Sequence, residues 1–154
     1  MRHFEGSKRR FSFLHNARII LYNFPALQRS YILLVEGSSD VMTLKTLGYD
    51  AVGLPSASQN GILEKLVDYS KKNNKPIVYL GDNDKAGQAV YGFLEQHAYF
   101  YPITHGKFKD VSDLCQFGKE ADIERLKYDL ENIIHRLKKE EAYRRIREQE
   151  EEAY

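Results

Sequence analysis

Two short apolar runs, residues 31–35 (Tyr-Ile-Leu-Leu-Val) and 76–80 (Pro-Ile-Val-Tyr-Leu), each end in carboxylates and then pass into a helical pattern. Short, unbroken apolar runs mark strands buried on both faces, and such strands belong to parallel sheets covered by helices. The first run leads into Glu36-Gly37-Ser38-Ser39-Asp40, the second into Asp82-Asn83-Asp84-Lys85-Ala86-Gly87. In an open α/β sheet, ligands sit beyond the carboxyl ends of the strands, near the point where strand order reverses. If the two strands are neighbours, Glu36, Asp82 and Asp84 converge on one small space. Like charges so crowded are costly without a cation. Hard oxygen donors with no histidine or thiolate beside them suit magnesium or manganese, and such ions usually handle phosphates. Gly37 and Gly87 fit the same picture, because glycine lets the backbone turn tightly or lets a substrate approach.

The rest of the chain alternates in the same way. Strands are expected over 31–36, 51–54, 76–80 and 99–103, and helices over 39–47, 62–73 and 86–97. Val41, Leu44 and Leu47 form the inward face of the first helix, which Gly48 ends. Ile62, Leu63, Leu66, Val67 and Tyr69 make the stripe of the second. This alternation predicts an α/β fold with a mostly parallel four-stranded sheet, helices on both faces and right-handed crossovers. Strand order 2-1-3-4 would bring the two acidic ends together. A length of 154 residues suits one core of ordinary size and not two. No apolar stretch is long enough for a membrane span, and the basic, aromatic N-terminus is unlike a signal peptide. A cytoplasmic setting with no membrane partner is the expectation. The single cysteine, Cys115, excludes a disulfide framework or a zinc ribbon within the chain.

Each motif also has a plainer reading. Ser38, Ser39 or Asp40 can cap a helix, and Asp82-Asn83-Asp84 can close a strand as a polar turn. A calcium loop of the EF-hand type also begins Asp-x-Asp with glycine sixth, but its fifth and twelfth positions here are Ala86 and Phe93, which offer no ligand. Both motifs together, in order and each after a strand, favour the metal site.

Val35-Glu36-Gly37-x-x-Asp40 followed by Leu80-Gly81-Asp82-Asn83-Asp84-x-Ala86-Gly87 resembles a Toprim domain, the module of bacterial-type primases, topoisomerases and several small nucleases. The Asp-x-Asp-x-Ala-Gly form, with Lys109-Asp110-Val111-Ser112-Asp113-Leu114 downstream, is most similar to bacterial primases and phage primase-helicases, over roughly residues 18–116. The resemblance implies a Toprim-type, Rossmann-like fold in which Glu36, Asp82 and Asp84 are catalytic and bind magnesium or manganese, with Asp40 and Asp110 in support. It implies no other cofactor. Asp110 and Asp113 are the candidates for the further acidic pair of the primases; their two-residue separation departs from the Asp-x-Asp of the bacterial enzymes. Ser112 or Asp113 as the cap of a following short helix is the alternative. Lys85, Lys107 and Lys109 are candidate phosphate contacts. No Walker motif occurs in the chain.

Composition and the resemblance together divide the chain into three segments: a basic, aromatic N-terminal segment (1–30) with a helix near 12–23, the Toprim domain that the resemblance implies (31–118), and a charged C-terminal helix (119–154). In the first, Lys8, Arg9 and Arg10 can bind a nucleic-acid backbone, while Phe13, Ile19, Ile20 and Tyr22 are expected to pack. In the last, Ile123, Leu126, Leu130, Ile133 and Leu137 recur by threes and fours as a packing seam, and the mixed-charge remainder reads as a solvated helix. The leading functional expectation is a reduced or split primase-like nucleotidyltransferase that makes, or helps make, RNA primers. Its partners would be single-stranded DNA, nucleoside triphosphates and a helicase, polymerase or other replication subunit. A small magnesium-dependent Toprim nuclease, with Glu36 as general base, is the first alternative. A non-catalytic accessory protein that binds DNA or a replication partner is the second.

Overall fold

The computed structural model describes residues 21–55 and 60–153. Four strands, β1 (Ile32–Glu36), β2 (Val52–Leu54), β3 (Ile77–Tyr79) and β4 (Phe100–Pro102), form one sheet in the order β2-β1-β3-β4, every pair parallel. The expected order is therefore the observed one. Leu34 stands opposite both Val52 and Tyr79, so β1 and β3 are adjacent and their carboxyl ends lie side by side. Strand order reverses between these two, which is where a parallel sheet opens a crevice for ligands.

Among the described residues, five helices connect and cover the strands: α1 (Ser38–Thr46), α2 (Asn60–Lys72), α3 (Lys85–His97), α4 (Val111–Phe117) and α5 (Glu120–Ala153). Each strand's side chains alternate between two cores. On one face, Ile32, Leu34, Val52, Leu54, Ile77 and Tyr79 pack against Leu63 and Leu66 of α2 and Val90 and Leu94 of α3. On the other, Leu33, Val35, Val78 and Leu80 meet Val41 and Leu44 of α1, Leu114 of α4 and the buried stripe of α5. Double-sided coverage explains why β1 carries no polar residue before Glu36 and β3 carries no charged residue at all. At about 25 cal/mol per Å² of apolar surface removed from water, these two layers supply most of the drive to fold.

The α5 stripe differs from the expected seam at both of the seam's isoleucines. Leu126, Leu130, Ile134 and Leu137 are buried, while Ile123 and Ile133 are only partly so. Ile134 lies four residues after Leu130 and three before Leu137, so it continues the line of the helix as well as Ile133 does, and the packed face turned out to be the one through Ile134. The helix expected over 12–23 also needs correction at its end. Tyr22 forms an antiparallel bridge with Gly53 of β2, through Tyr22 N–H to Gly53 O at 2.9 Å and Gly53 N–H to Tyr22 O at 3.0 Å. Tyr22 is 40% exposed and not part of the core. Asn23 then takes a left-handed conformation (φ 56°) ahead of a 3-10 turn, Phe24–Gln28, whose Leu27 is fully buried. Residues 12–20 of that expected helix, with Phe13, Ile19 and Ile20, and the preceding Lys8, Arg9 and Arg10, lie outside the described residues.

Candidate metal centre

Glu36 is the last residue of β1, and Gly37 behind it takes φ 81°, a conformation that favours glycine and turns the chain straight into α1. One Glu36 oxygen, Oε2, accepts the Asp82 N–H at 2.7 Å. The first strand's acid thus braces the loop that carries the second motif. Asp40 sits in the first turn of α1 and is 1% exposed. Its Oδ1 accepts from both the hydroxyl (2.7 Å) and the N–H (3.1 Å) of Ser112 in α4. None of Ser38, Ser39 and Asp40 caps α1; Gly37 holds the cap position with no side-chain hydrogen bond.

The remaining acids divide by role. Asp84 caps α3, its Oδ1 accepting the Gly87 N–H at 2.7 Å. Gly87 is obligatory here because a Cβ would collide with the Asp82 carbonyl oxygen. Asp110 caps α4 by accepting the Asp113 N–H at 2.8 Å, so neither Ser112 nor Asp113 is the cap. Asp40, Asp82 and Asp110 nonetheless bring one carboxylate oxygen each to within 4.8 Å of one another. The tightest group is therefore Asp40, Asp82 and Asp110, with Glu36 joined through the Asp82 backbone and Asp84 turned toward α3. Lys85, Lys107 and Lys109 are exposed, and the Lys107 ammonium lies 5.6 Å from the centre of the Phe108 ring.

Three oxygens in this cluster are buried and lack any hydrogen-bond partner: Glu36 Oε1, Asp40 Oδ2 and Asp82 Oδ1. A buried, unpaired carboxylate oxygen carries a desolvation penalty that a native site ordinarily avoids. Here the electrostatics show the cost. Burial raises the Asp82 pKa to about 7, helped by the charges of Glu36, Asp40, Asp110 and Asp84. Burial likewise raises Glu36, opposed by the Asp82 N–H and reinforced by Asp84 and Asp40. Burial raises Asp40 as well, against the Ser112 hydroxyl and with the charge of Asp110. Hard oxygen donors with unfilled valence and mutually repelling charge fit magnesium or manganese.

Sequence reasoning named Ser112 only as a possible helix cap and Asn83 only as part of a motif, and it did not name His105, although all three set this geometry. Asn83 stitches the two loops together: its N–H donates to Lys109 O (2.7 Å), and its amide donates to Gly106 O (2.9 Å) and Phe108 O (2.7 Å). His105, 4% exposed, lies between the Gly81 and Phe108 carbonyl oxygens. Ser112 holds Asp40 from across 72 residues of chain.

A family model described as Toprim-like matches residues 33–114, more than half of the chain, and the protein belongs to that family. The primase fragment of the bacteriophage T7 primase-helicase is similar in structure, with 19% identity and a TM-score of 0.48, over 62% of this chain and 43% of that one. The T7 primase domains described with lagging-strand DNA polymerase, an RNA/DNA hybrid and dTTP are similar at 20% identity and a TM-score of 0.48, over 62% of this chain and 52% of theirs. The chain thus spans about half of the T7 chains it resembles. No curated protein matches it. Among the described residues, no helix is long and apolar enough to cross a membrane.

Proposed function

We propose that this chain performs metal-dependent nucleotidyl transfer on nucleic acid, as a primase-like Toprim protein that makes, or helps make, RNA primers on single-stranded DNA. The observation that carries the reading is the set of three buried, partnerless carboxylate oxygens at the reversal point of the sheet. Asp40, Asp82 and Asp110 would hold magnesium or manganese, with Glu36 and Asp84 beside them. Divalent ions in such a site neutralise phosphoryl oxygens and stabilise the attacking and leaving oxygens of a displacement. Glu36, whose proton affinity burial has raised, is suited to take the proton of the attacking hydroxyl through its free Oε1. Ser112 keeps Asp40 aimed at the cluster, and Asn83 fixes Asp82 against the Asp110 loop. Lys85, Lys107 and Lys109 supply phosphate contacts, and Lys8, Arg9 and Arg10 hold the single strand. A helicase or polymerase subunit is the partner expected to complete template binding.

The test is one gel with single-stranded DNA, labelled ribonucleotides and magnesium or manganese, run beside a Glu36→Ala control. Short labelled RNA that disappears in the control is the expected result; full synthesis by the Glu36→Ala protein would overturn the reading. The raised proton affinity of Glu36 equally suits activation of water, which supports hydrolysis of phosphodiester bonds as a second reading. Shortening of end-labelled DNA in the same lanes, without new RNA, would favour it.

A further inference from the structure

Beside the carboxylates lies a cavity of about 380 Å³, walled by Tyr79 of β3, Gln88 and Tyr91 of α3, Ile103 and Thr104 after β4, and Asp82 itself. The priming reading assigns it nothing. We infer that this cavity takes the base and sugar of a nucleotide whose phosphates face the carboxylate cluster. The inference rests on the nucleotidyl-transfer reading of those carboxylates and adds to it where the rest of the nucleotide goes.

Four observations select this occupant. The volume falls in the range of about 300–1,000 Å³ that small-molecule sites occupy, enough for one nucleoside and too small for a run of strand. Gln88 and Tyr91 are three residues apart on one face of α3, so an amide and an aromatic ring are presented together. Tyr91 is 40% exposed, and its ring meets Phe100 in a T-shaped contact at 5.3 Å and 80°, which orients the ring while much of it stays open to a stacked base. The Gln88 amide can both donate and accept, and the Thr104 hydroxyl, which accepts the Gly106 N–H at 3.0 Å, still has a proton to donate. A flat aromatic ring with hydrogen-bonding edges satisfies all three side chains. Asp82 belongs to the cavity wall and to the cluster alike, so a ligand that fills the cavity borders the proposed cation site. A purely apolar ligand would leave the polar wall unpaired, and a bare anion would face carboxylates with no ring to stack.

Such a nucleoside can arrive as a free nucleoside triphosphate or as the terminal nucleotide of a strand, and both share this chemistry. Titration calorimetry in magnesium compares adenosine triphosphate with inorganic tripolyphosphate, which carries the phosphates and lacks the base. The expected result is that the nucleotide binds about tenfold or more tightly, the scale of one base stacked on an aromatic side chain. Tyr91→Ala should erase that margin and leave tripolyphosphate affinity unchanged. Gln88→Ala, at an exposed position, should shrink the margin without affecting folding. Equal affinity for the two ligands in the wild-type protein, no binding of either, or a margin that survives in a Tyr91→Ala protein melting like wild type, would each overturn the inference. Nucleotide binding without tripolyphosphate binding would count against the cation site and still support the base cavity, so the two readings fail separately. A fluorescent purine, supplied as riboside triphosphate or at the end of an oligonucleotide, distinguishes the sources; a saturable, Tyr91-dependent signal from either supports the inference.

Discussion

The two ends of this parallel sheet carry polar residues of different kinds and treat them in opposite ways. At the amino end, ahead of β3, the Lys75 ammonium donates to the Leu27 carbonyl and to the Tyr69 hydroxyl, and Ser70 donates to the Lys75 carbonyl. Arg29 donates to Asp50 at 2.8 Å ahead of β1 and β2. At the carboxyl end, Glu36, Asp40 and Asp82 each keep a buried oxygen with no partner. One end is closed in hydrogen-bonding terms and the other is left open. The difference separates polar groups that brace the fold, which find partners, from carboxylate oxygens whose valence is left free.

The strongest way to break this comparison is at Asp82. Asp82→Asn should lower magnesium-dependent activity at least about 100-fold, exceeding the loss typical of residues that only support a metal ligand. The same change should raise the stability of the metal-free protein by about 1–2 kcal/mol, discounted for solvent screening, because it removes a charge the cluster resists. Turnover assays and thermal melts without metal check both. A stabilised but inactive protein is the signature of an open end. Next in size is Ser112→Ala, which leaves Asp40 in place but unaimed; activity should fall about 10- to 100-fold, seen chiefly as a weaker apparent magnesium affinity. Lys75→Met probes the closed end and should act with opposite sign. The Leu27 carbonyl would keep only the Tyr69 hydroxyl at 3.3 Å, and losing the charged donor should cost about 1.5–3 kcal/mol by denaturant titration, with activity per folded molecule unchanged.

The smallest effect is in pH. Asp82, Glu36 and Asp40 all have folded-state pKa values raised by burial. The folded state then binds more protons than the unfolded one, so this cluster's contribution is fully present below the unfolded carboxylate range. It is lost as pH rises toward the Asp82 value of about 7. Metal-free melts of wild type should therefore lose stability, relative to Asp82→Asn, between about pH 4 and pH 7. Saturating magnesium should flatten the difference. An identical pH profile for the two metal-free proteins would show that the cluster is not strained.

How much of this was legible depended on whether a residue's role was local. β1 and β3 read clearly because central parallel strands must be apolar on both faces, and their order followed from needing the acids together. Tyr22 did not, since its bridge to Gly53 depends on a partner 31 positions on. Ile133 and Ile134 are adjacent and both fit the spacing of α5, and only packing against the sheet chose between them. Aspartate serves equally as helix cap and cation ligand, so sequence assigned Asp84 and Asp110 to a ligand set without seeing that each also caps a helix. Asp40 read as a supporting residue; its near-complete burial and its tie to Ser112 come from the contact between α1 and α4. His105 and Asn83 act through backbone carbonyls, which no side-chain pattern announces.

The Asn83 stitch has a consequence for how this chain can vary. Loops on a protein surface ordinarily accept added or lost residues with small thermodynamic penalty. The connection from Ile103 to Asp110 has no such freedom, because Asn83 measures it at Gly106, Phe108 and Lys109. Adding one residue there shifts Asp110 out of step with Asp82 while the hydrophobic layers beneath remain intact. The length of that connection is therefore as much a component of the site as any of its acids, and variants of different length at this point should fold yet fail to gather their carboxylates.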